Sequence, residues 1–191
     1  MKIKKGNAGY ICQRKRNVII KTILEFGIVI ALLILGIWQT GDRSNLLTVV
    51  AILGCLPASK ALVELIMILP HHSTLEETVA EIESNAANLT KAFDMVFTSE
   101  KKIMPVECIV ISDNTICGYA SSAKVDTNFA SEHIKKYLCA NKFTKVSVKI
   151  FDNYQTFLTR VEDMNNIANK ENSDVKEKER AIRQVILSLS L

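Results

Sequence analysis

Three charged side chains, Glu25, Lys60 and Glu64, lie within two otherwise apolar runs of the sequence. Lys60 and Glu64 are four residues apart, so on a helix they lie on the same face. Counted inward from Leu69, Lys60 lies roughly 13 Å deep and Glu64 roughly 7 Å deep, and Glu25 falls at about the depth of Glu64. We therefore predict one intramembrane polar cluster, which either holds two helices in register or carries protons or ions.

Histidine and cysteine show no spacing that is typical of catalysis or metal binding. His71 and His72 are adjacent and point in different directions on any regular element. His133 and Cys139 are six residues apart on a predicted helix, which places them on different sides. We predict no catalytic residue, no metal and no cofactor, and free thiols in a reducing compartment. The five cysteines are Cys12, Cys55, Cys108, Cys117 and Cys139.

Two apolar runs, residues 22–38 and 46–69, must position the three charges. Each approaches or exceeds the roughly 20 residues that a helix needs to cross about 30 Å of hydrocarbon. The loop between them, residues 39–45, holds only Asp42 and Arg43, whose charges cancel. No small-x-small cleavage site follows the first run, so the pattern predicts a transmembrane hairpin rather than a signal peptide.

The second run contains residues that affect helix shape and packing. Pro57 removes a backbone hydrogen bond and predicts a kink. A re-entrant loop is the rarer outcome, because 24 residues suffice to span the membrane. The small residues near it predict close approach of the two helices. These small residues are Gly54, Cys55, Ala58 and Ser59.

Basic side chains are concentrated before the first run. Residues 1–70 carry nine Lys and Arg against three Asp and Glu, whereas residues 71–191 carry fifteen against seventeen. Basic residues stay on the cytoplasmic side, which predicts a cytoplasmic N-terminus and a cytoplasmic chain after Pro70. We expect the arm to lie on anionic lipid headgroups, and the slightly acidic remainder predicts no nucleic-acid partner. The basic residues of the arm are Lys2, Lys4, Lys5, Arg14, Lys15, Arg16 and Lys21.

Residues 71–191 predict an α+β domain with a small mixed sheet, in the order α-β-β-β-α-β-α-α. Thr74 is the predicted N-cap of the first helix, with Glu77 as its capping-box partner, and the helical spacing continues to Phe93. The remaining predicted elements are strands at 94–98, 104–112, 115–120 and 145–151 and helices at 127–140, 154–168 and 181–189. The whole chain thus divides into a basic arm (1–17), a hairpin (18–70) and a cytoplasmic domain (71–191).

Several side chains of the domain have predicted positions. Helix 127–140 is expected to turn Phe129, Ile134, Tyr137 and Leu138 inward. Cys108 and Cys117 are expected to face each other as core residues across a turn at Asp113 and Asn114. The last helix either packs on the domain or lies on the membrane surface.

The order of elements in this domain resembles the core of restriction-endonuclease-like nucleases. Those enzymes hold a divalent metal with an acid on the second strand and an acid-x-Lys on the third. Glu107 matches the first ligand, but the predicted third strand, TICGYASSAK, has no acid before Lys124. Without that second ligand, metal-assisted hydrolysis lacks its site, so the resemblance implies an inactive, degenerate nuclease-like relative or a coincidence of topology.

The stretch NLLTVVAILGCLPASKALVELIMILPHHS, residues 45–73, together with the basic arm and first run, resembles a family of small uncharacterised two-span membrane proteins of Gram-positive bacteria. Members of that family are sometimes labelled O-linked GlcNAc transferase-like. The resemblance implies the membrane location and no catalytic residues. The residues do not support the transferase label, since the chain has neither an Asp-x-Asp signature nor a Gly-rich phosphate turn.

The sequence as a whole favours a multi-pass protein of the cell membrane with a cytoplasmic α+β domain. We predict that this domain is a non-catalytic interaction or scaffolding module, with a protein partner or a second copy of itself. A membrane-tethered hydrolase is the first alternative. A small transport-associated subunit that uses Glu25, Lys60 and Glu64 is the second.

Overall fold

The computed structural model describes residues 3–40, 46–99, 102–168 and 173–190. These residues form two units: a hairpin, Ile11–His71, and a domain made of Met1–Tyr10 and His72–Leu191. The loop charges Asp42 and Arg43 and the arm residue Lys2 lie outside the described residues, so the predictions that concern them stay predictions.

The hairpin is built from helices α1 (Tyr10–Thr40) and α2 (Leu46–Ile68). Both are long and apolar enough to cross a membrane. Helix α1 begins twelve residues before the apolar run, because residues 10–21 include Lys and Arg, which favour helix as strongly as many apolar residues do. Helix α2 continues unbroken through Pro57, so the structure has no re-entrant loop there.

Small residues bring α1 and α2 together. A Cβ atom added at Gly54 would lie 3.2 Å from Cγ2 of Val29, which is tighter than ordinary packing. The predicted close approach is confirmed for Gly54 and Ala58, whereas Cys55 and Ser59 face outward. The buried residues of α2 are Ala51, Ala58, Ala61 and Ile68.

The domain contains a mixed four-stranded sheet in the spatial order β1-β2-β3-β4. The first three strands are antiparallel neighbours, and β4 runs parallel to β3. The predicted fold class and element order are therefore confirmed. The elements are α3 (Glu76–Asn85), β1 (Thr90–Thr98), β2 (Ile103–Ser112), β3 (Thr115–Tyr119), α4 (Thr127–Ala140), β4 (Ser147–Phe151), α5 (Tyr154–Ala168) and α6 (Ser173–Leu189).

Helices cover both faces of the sheet and enclose two apolar cores. The first core lies under α4 and α6, and the second lies under α3 and α5. Helix α6 places Ile182 and Ile186 in the first core, so it packs on the domain rather than on a membrane surface. Helix α5 contributes Phe157, Val161 and Met164 to the second core, as its spacing predicted.

The predicted first helix of the domain was wrong over its second half. Helix α3 ends at Asn85, and Phe93 belongs to β1, where it pairs with Cys108. The error has a physical cause: a four-residue apolar spacing is even, so it fits the two-residue period of a strand as well as a helix. Thr74 is not the N-cap either, because Leu75 occupies that position without a side-chain hydrogen bond.

Helix α4 begins at a side-chain cap and presents a half-buried aromatic face. The Asp126 carboxylate accepts a hydrogen bond from the Phe129 backbone N–H, which lowers the pKa of Asp126 below its usual value. Ile134 and Leu138 are buried, as predicted. Phe129 is half-buried and packs against the first core, as predicted, whereas Tyr137 is half-buried and lines the surface beside it.

The two core cysteines do not stand opposite each other. Cys108 pairs with Tyr119, and Cys117 pairs with Val110, so the thiols are offset by two residues along the sheet. Both side chains lie in the second core, which confirms the predicted burial.

Candidate functional site

The regular alternation of side chains between the two sheet faces is interrupted at Asp94 on β1 and at Glu107 on β2. Residues three apart on a strand normally face opposite sides of the sheet. In β1 and again in β2, however, two residues three apart both point into the first core. Asp94 has a φ of 55°, in the left-handed region that residues other than glycine rarely adopt. Irregularities of this kind are enriched near functional sites. The two pairs are Ala92 with Met95 and Val106 with Ile109.

Asp94 uses its carboxylate to hold residue 74 on the sheet. It is buried, with 4% of its surface exposed. Its Oδ1 accepts hydrogen bonds from the backbone N of Thr74 at 2.8 Å and from the Thr74 hydroxyl at 2.9 Å. The same hydroxyl lies 3.1 Å from the backbone oxygen of Glu107. The Oδ2 of Asp94 is buried and has no hydrogen-bond partner among the described residues.

Hydroxyl side chains lie close to Glu107 and to its neighbours on the sheet. Ser121 donates a hydrogen bond to Oε1 of Glu107. Burial and the charge of Glu107 raise the pKa of Tyr119. Burial and a hydrogen bond from Tyr154 to Glu81, at 2.7 Å, raise the pKa of Tyr154. Both phenols therefore stay protonated at neutral pH.

The carboxylates of the sheet do not assemble into the metal site of the nucleases. Strand β3 carries no acidic residue, and Lys124 lies exposed beyond its end. Asp94 stands on the first strand and is bound to Thr74. No group of three His, Cys, Asp or Glu side chains suited to a metal ion occurs among the described residues. Asp94 and Glu107 thus bind groups of their own domain.

The buried cysteines are poor nucleophiles. Burial raises the pKa of Cys108, and burial also raises the pKa of Cys117 against the opposing effect of Arg160. A thiol attacks as its thiolate, so both side chains are inert at neutral pH and serve as packing.

A cleft of about 660 Å³ lies along α4 and the end of β1. The rings of Phe129 and His133 stack there with centroids 6.2 Å apart, and Tyr137 follows one turn later. The Nε2 atom of His133 is buried without a hydrogen-bond partner in the described part of the chain. The sequence predicted Phe129 and Tyr137 on the inward face of this helix but did not group them with His133. The cleft is lined by Thr98, Ser99, Phe129, Glu132, His133, Lys136, Tyr137 and Ala140.

No protein-family model, no curated protein and no solved structure matches this chain. The predicted relation to two-span proteins of Gram-positive bacteria therefore stays a prediction.

The three charges of the hairpin have separate surroundings. Glu64 accepts a hydrogen bond from Arg14 at 3.0 Å. Oε1 of Glu25 lies 3.7 Å from Nζ of Lys21, and its Oε2 is buried without a partner among the described residues. Lys60 is exposed, and no ion pair in the described hairpin joins it to a glutamate. The structure thus replaces the predicted single cluster by two ion pairs and one separate lysine.

Small residues at the helix interface explain this separation. The side of α2 that meets α1 is occupied by Ala58 and Ala61, which are 0% and 1% exposed. Lys60 lies between them in sequence, so a rotation of 100° per residue directs it away from that interface. A path for charge between the two helices of one hairpin would need Lys60 on the side of α2 that faces α1.

The basic arm divides between the two units. Lys5 donates to the backbone oxygen of Ser190 at 2.6 Å within the domain, and Lys15 donates to that of Leu69 at 2.6 Å within the hairpin. Both lysines thus bind carbonyl groups of their own unit. Of the other arm residues, Arg14 and Lys21 form the ion pairs above, Lys4 and Arg16 are exposed, and Lys2 lies outside the described residues.

Consecutive residues of β1 hold both chain segments that lead from the domain toward the hairpin. The backbone N–H of Phe93 donates to the oxygen of Gly6 at 3.0 Å, and Arg183 donates to the same oxygen at 3.1 Å. Asp94, the next residue, holds Thr74. The sequence carried no signal for the attachment at Gly6, because a backbone acceptor has no side-chain signature.

Glu179 on α6 is a buried carboxylate that sequence reasoning missed. It is 3% exposed, and it accepts hydrogen bonds from the Thr90 hydroxyl at 2.7 Å and the backbone N of Asp113 at 2.9 Å. A signal was present, since residue 179 precedes the buried Ile182 and Ile186 at helical spacing. The polar composition of residues 169–180 outweighed that spacing in the sequence prediction.

Proposed function

We propose that this protein is a multi-pass protein of the cell membrane that presents its α+β domain as a non-catalytic interaction module. The observation that carries the proposal is the distribution of exposed large apolar side chains. Among the residues that the structure describes, all of them lie between Ile20 and Leu69, except Leu75, Ile103 and Ile167. Such a continuous apolar surface is unfavourable in water, whereas it is the natural solvent-facing surface of helices in lipid.

The charges of the hairpin support a cytoplasmic N-terminus and a cytoplasmic domain. Arg14, Lys15 and Arg16 occupy the first two turns of α1, before its apolar part begins. Basic residues near the end of a span are retained on the cytoplasmic side, and anionic headgroups attract them there. Two spans then return the chain to the same side, where the domain follows.

The contacts of the domain favour recognition over catalysis. Its irregular sheet positions, Asp94 and Glu107, bind groups of the same domain. The cleft on α4 instead offers Phe129, His133 and Tyr137 beside opposite charges on Glu132 and Lys136. Aromatic rings flanked by polar groups are typical anchors for a protein segment.

The native cysteines give a test of the membrane location. In sealed vesicles of single-cysteine variants, we expect a charged maleimide to label Cys12 only when the cytoplasmic face is outward. We expect Cys55, which faces outward from α2, to stay unlabelled in both orientations, because a charged maleimide does not enter hydrocarbon. Mass spectrometry of the labelled protein measures both outcomes.

Detergent denaturation provides the control for this labelling, since it must make both thiols reactive. Labelling of Cys55 in intact vesicles at the rate of Cys12 would mean that α2 faces water, and the membrane proposal would then fail. Labelling of Cys12 from the opposite face would reverse only the proposed sidedness.

Photo-cross-linking tests the interaction module. A benzophenone amino acid in place of Tyr137, in the full-length protein in its own membrane, is expected to form a discrete adduct with one protein partner. The matched control carries the same group in place of Glu162, an exposed residue of α5 on the other face of the sheet. Equal adducts at both positions, or none at position 137, would contradict recognition through the α4 cleft.

A further inference from the structure

Strand β1 has a long outer edge at one side of the sheet. It comes first in the spatial order β1-β2-β3-β4, so among the described strands only β2 pairs with it. The strand has nine residues, Thr90–Thr98, and residues 92–97 are buried. A long apolar edge strand is a template on which a further strand can add, and natural proteins cover such edges.

The opposite edge of the sheet, β4, is protected in familiar ways. It has only five residues, Ser147–Phe151, and one of them is the exposed Lys149. The N–H of Ile150 donates to the hydroxyl of Ser131 on α4 at 2.9 Å. Shortness, a lysine and a covering helix each discourage the addition of a strand. The longer β1 is covered differently.

Both ends of the chain cover the outer edge of β1. The N–H of Phe93 donates to the oxygen of Gly6 at 3.0 Å. Phe97 forms an antiparallel bridge with Ser190. Nζ of Lys5 donates to the oxygen of Ser190 at 2.6 Å, which joins the two ends to each other. The two ends thus occupy the place of a fifth strand.

Arg183 on α6 fastens the N-terminal residues to the strand. Its Nε donates to the backbone oxygen of Lys91 at 2.8 Å. Its Nη2 donates to the backbone oxygen of Gly6 at 3.1 Å. One guanidinium therefore binds the edge of β1 and the segment that covers it, as its fork of donors allows.

Gly6 is the residue type that this close approach requires. It is buried, and its φ of 85° lies in the left-handed region. A Cβ atom there would lie 2.6 Å from Cδ2 of Leu187 and 2.9 Å from Nη2 of Arg183. Any other residue would strain the backbone and press on α6, so the position of Gly6 is specific to the folded domain.

We propose that residues 3–7 are an edge strap: by binding β1, they keep its outer edge from pairing with β1 of a second copy. Two copies of one edge are self-complementary about a two-fold axis, because identical strands related in this way run antiparallel. The strap is therefore an autoinhibitory contact. It lies wholly within the domain, so the inference does not depend on membrane insertion.

Gly6→Pro tests the strap, because proline fixes φ near −65° whereas Gly6 has a φ of 85°. In the dilute full-length protein in micelles, we expect the Phe93 amide to exchange its hydrogen at least about tenfold faster. At high protein concentration we expect the variant to form dimers in sedimentation and the Phe93 amide to become protected again. Mass spectrometry with fragmentation measures the exchange at this amide.

Two lysines of the arm give a matched pair of variants. Lys5→Ala removes the contact with Ser190 and is expected to act in the same direction as Gly6→Pro, but more weakly. Lys4→Ala removes the same charge at an exposed residue and should change neither exchange nor association. A peptide of residues 1–9 added to Gly6→Pro should restore slow exchange and reduce dimers, and the same peptide carrying Gly6→Pro should not.

The buried Cys108 and Cys117 show whether each variant is folded, since they stay unreactive in an intact domain. In a folded Gly6→Pro variant, unchanged exchange at Phe93 would overturn the strap. Faster exchange without dimers, or dimers in which Phe93 stays unprotected, would overturn the pairing of β1 edges. If Gly6→Pro unfolds the domain, the lysine pair decides, and equal effects of Lys4→Ala and Lys5→Ala would overturn the proposal.

Discussion

Replacing Ala58 by leucine is expected to destabilise the helical hairpin by about 1 to 3 kcal/mol, the usual result of overpacking a tight interface. Ala58 is fully buried between α1 and α2. The space beside it is already limited, since even a Cβ at Gly54 would press on Val29. A branched side chain at position 58 therefore has to push the two helices apart.

The measurement for Ala58→Leu is the midpoint of unfolding by sodium dodecyl sulfate in mixed micelles, followed by the emission of Trp38, which is the sole tryptophan. Cys55→Leu is the control, because residue 55 belongs to the same helix and faces outward. An unchanged midpoint for Ala58→Leu, or an equal loss in both variants, would show that α1 and α2 do not pack through their small residues.

Replacing Glu179 by alanine is expected to destabilise the domain by about 3 kcal/mol. The substitution leaves the Thr90 hydroxyl and the Asp113 backbone N–H without their acceptor. Glu179 joins α6 to the start of β1 and to the turn after β2, so its loss loosens one side of the sheet. Buried donors without acceptors carry their full desolvation cost, and the cavity left by the side chain adds to it.

The readout for Glu179→Ala is the urea concentration at which the buried Cys108 and Cys117 of the full-length protein become reactive in micelles. Glu179→Gln keeps one acceptor oxygen, so we expect it to lose much less stability than Glu179→Ala. Glu177→Ala removes a carboxylate two residues away that is exposed, and it serves as the matched control. If Glu177→Ala lost as much stability as Glu179→Ala, the hydrogen bonds of the buried Glu179 would not explain the effect.

The fold of the domain followed from the sequence where apolar periodicity was unambiguous. Helix α5 begins and ends at the predicted residues, because Phe157, Val161 and Met164 repeat at a strictly helical spacing. The same reasoning failed at Phe93, where a spacing of four residues fits helix and strand alike. Packing decided that case, since Phe93 pairs with Cys108 in the sheet.

Charged residues were located by the sequence but not paired by it. Spacing of four residues favoured Lys60 with Glu64, whereas the structure joins Glu64 to Arg14, fifty residues away. A long guanidinium from the neighbouring helix reaches Glu64, and the small-residue interface turns Lys60 outward. Neither effect is visible in local spacing, because both depend on which faces of α1 and α2 meet.

The sequence by itself determined which elements form and which segments are apolar, since hydropathy and periodicity are properties of a segment and its solvent. Tertiary structure decided where the polar groups go. The left-handed backbone at Asp94, its bond to Thr74, the buried Glu179 and the outward position of Lys60 all depend on groups distant in the chain. Burial makes such groups seek a partner, and only the folded arrangement determines which partner is within reach.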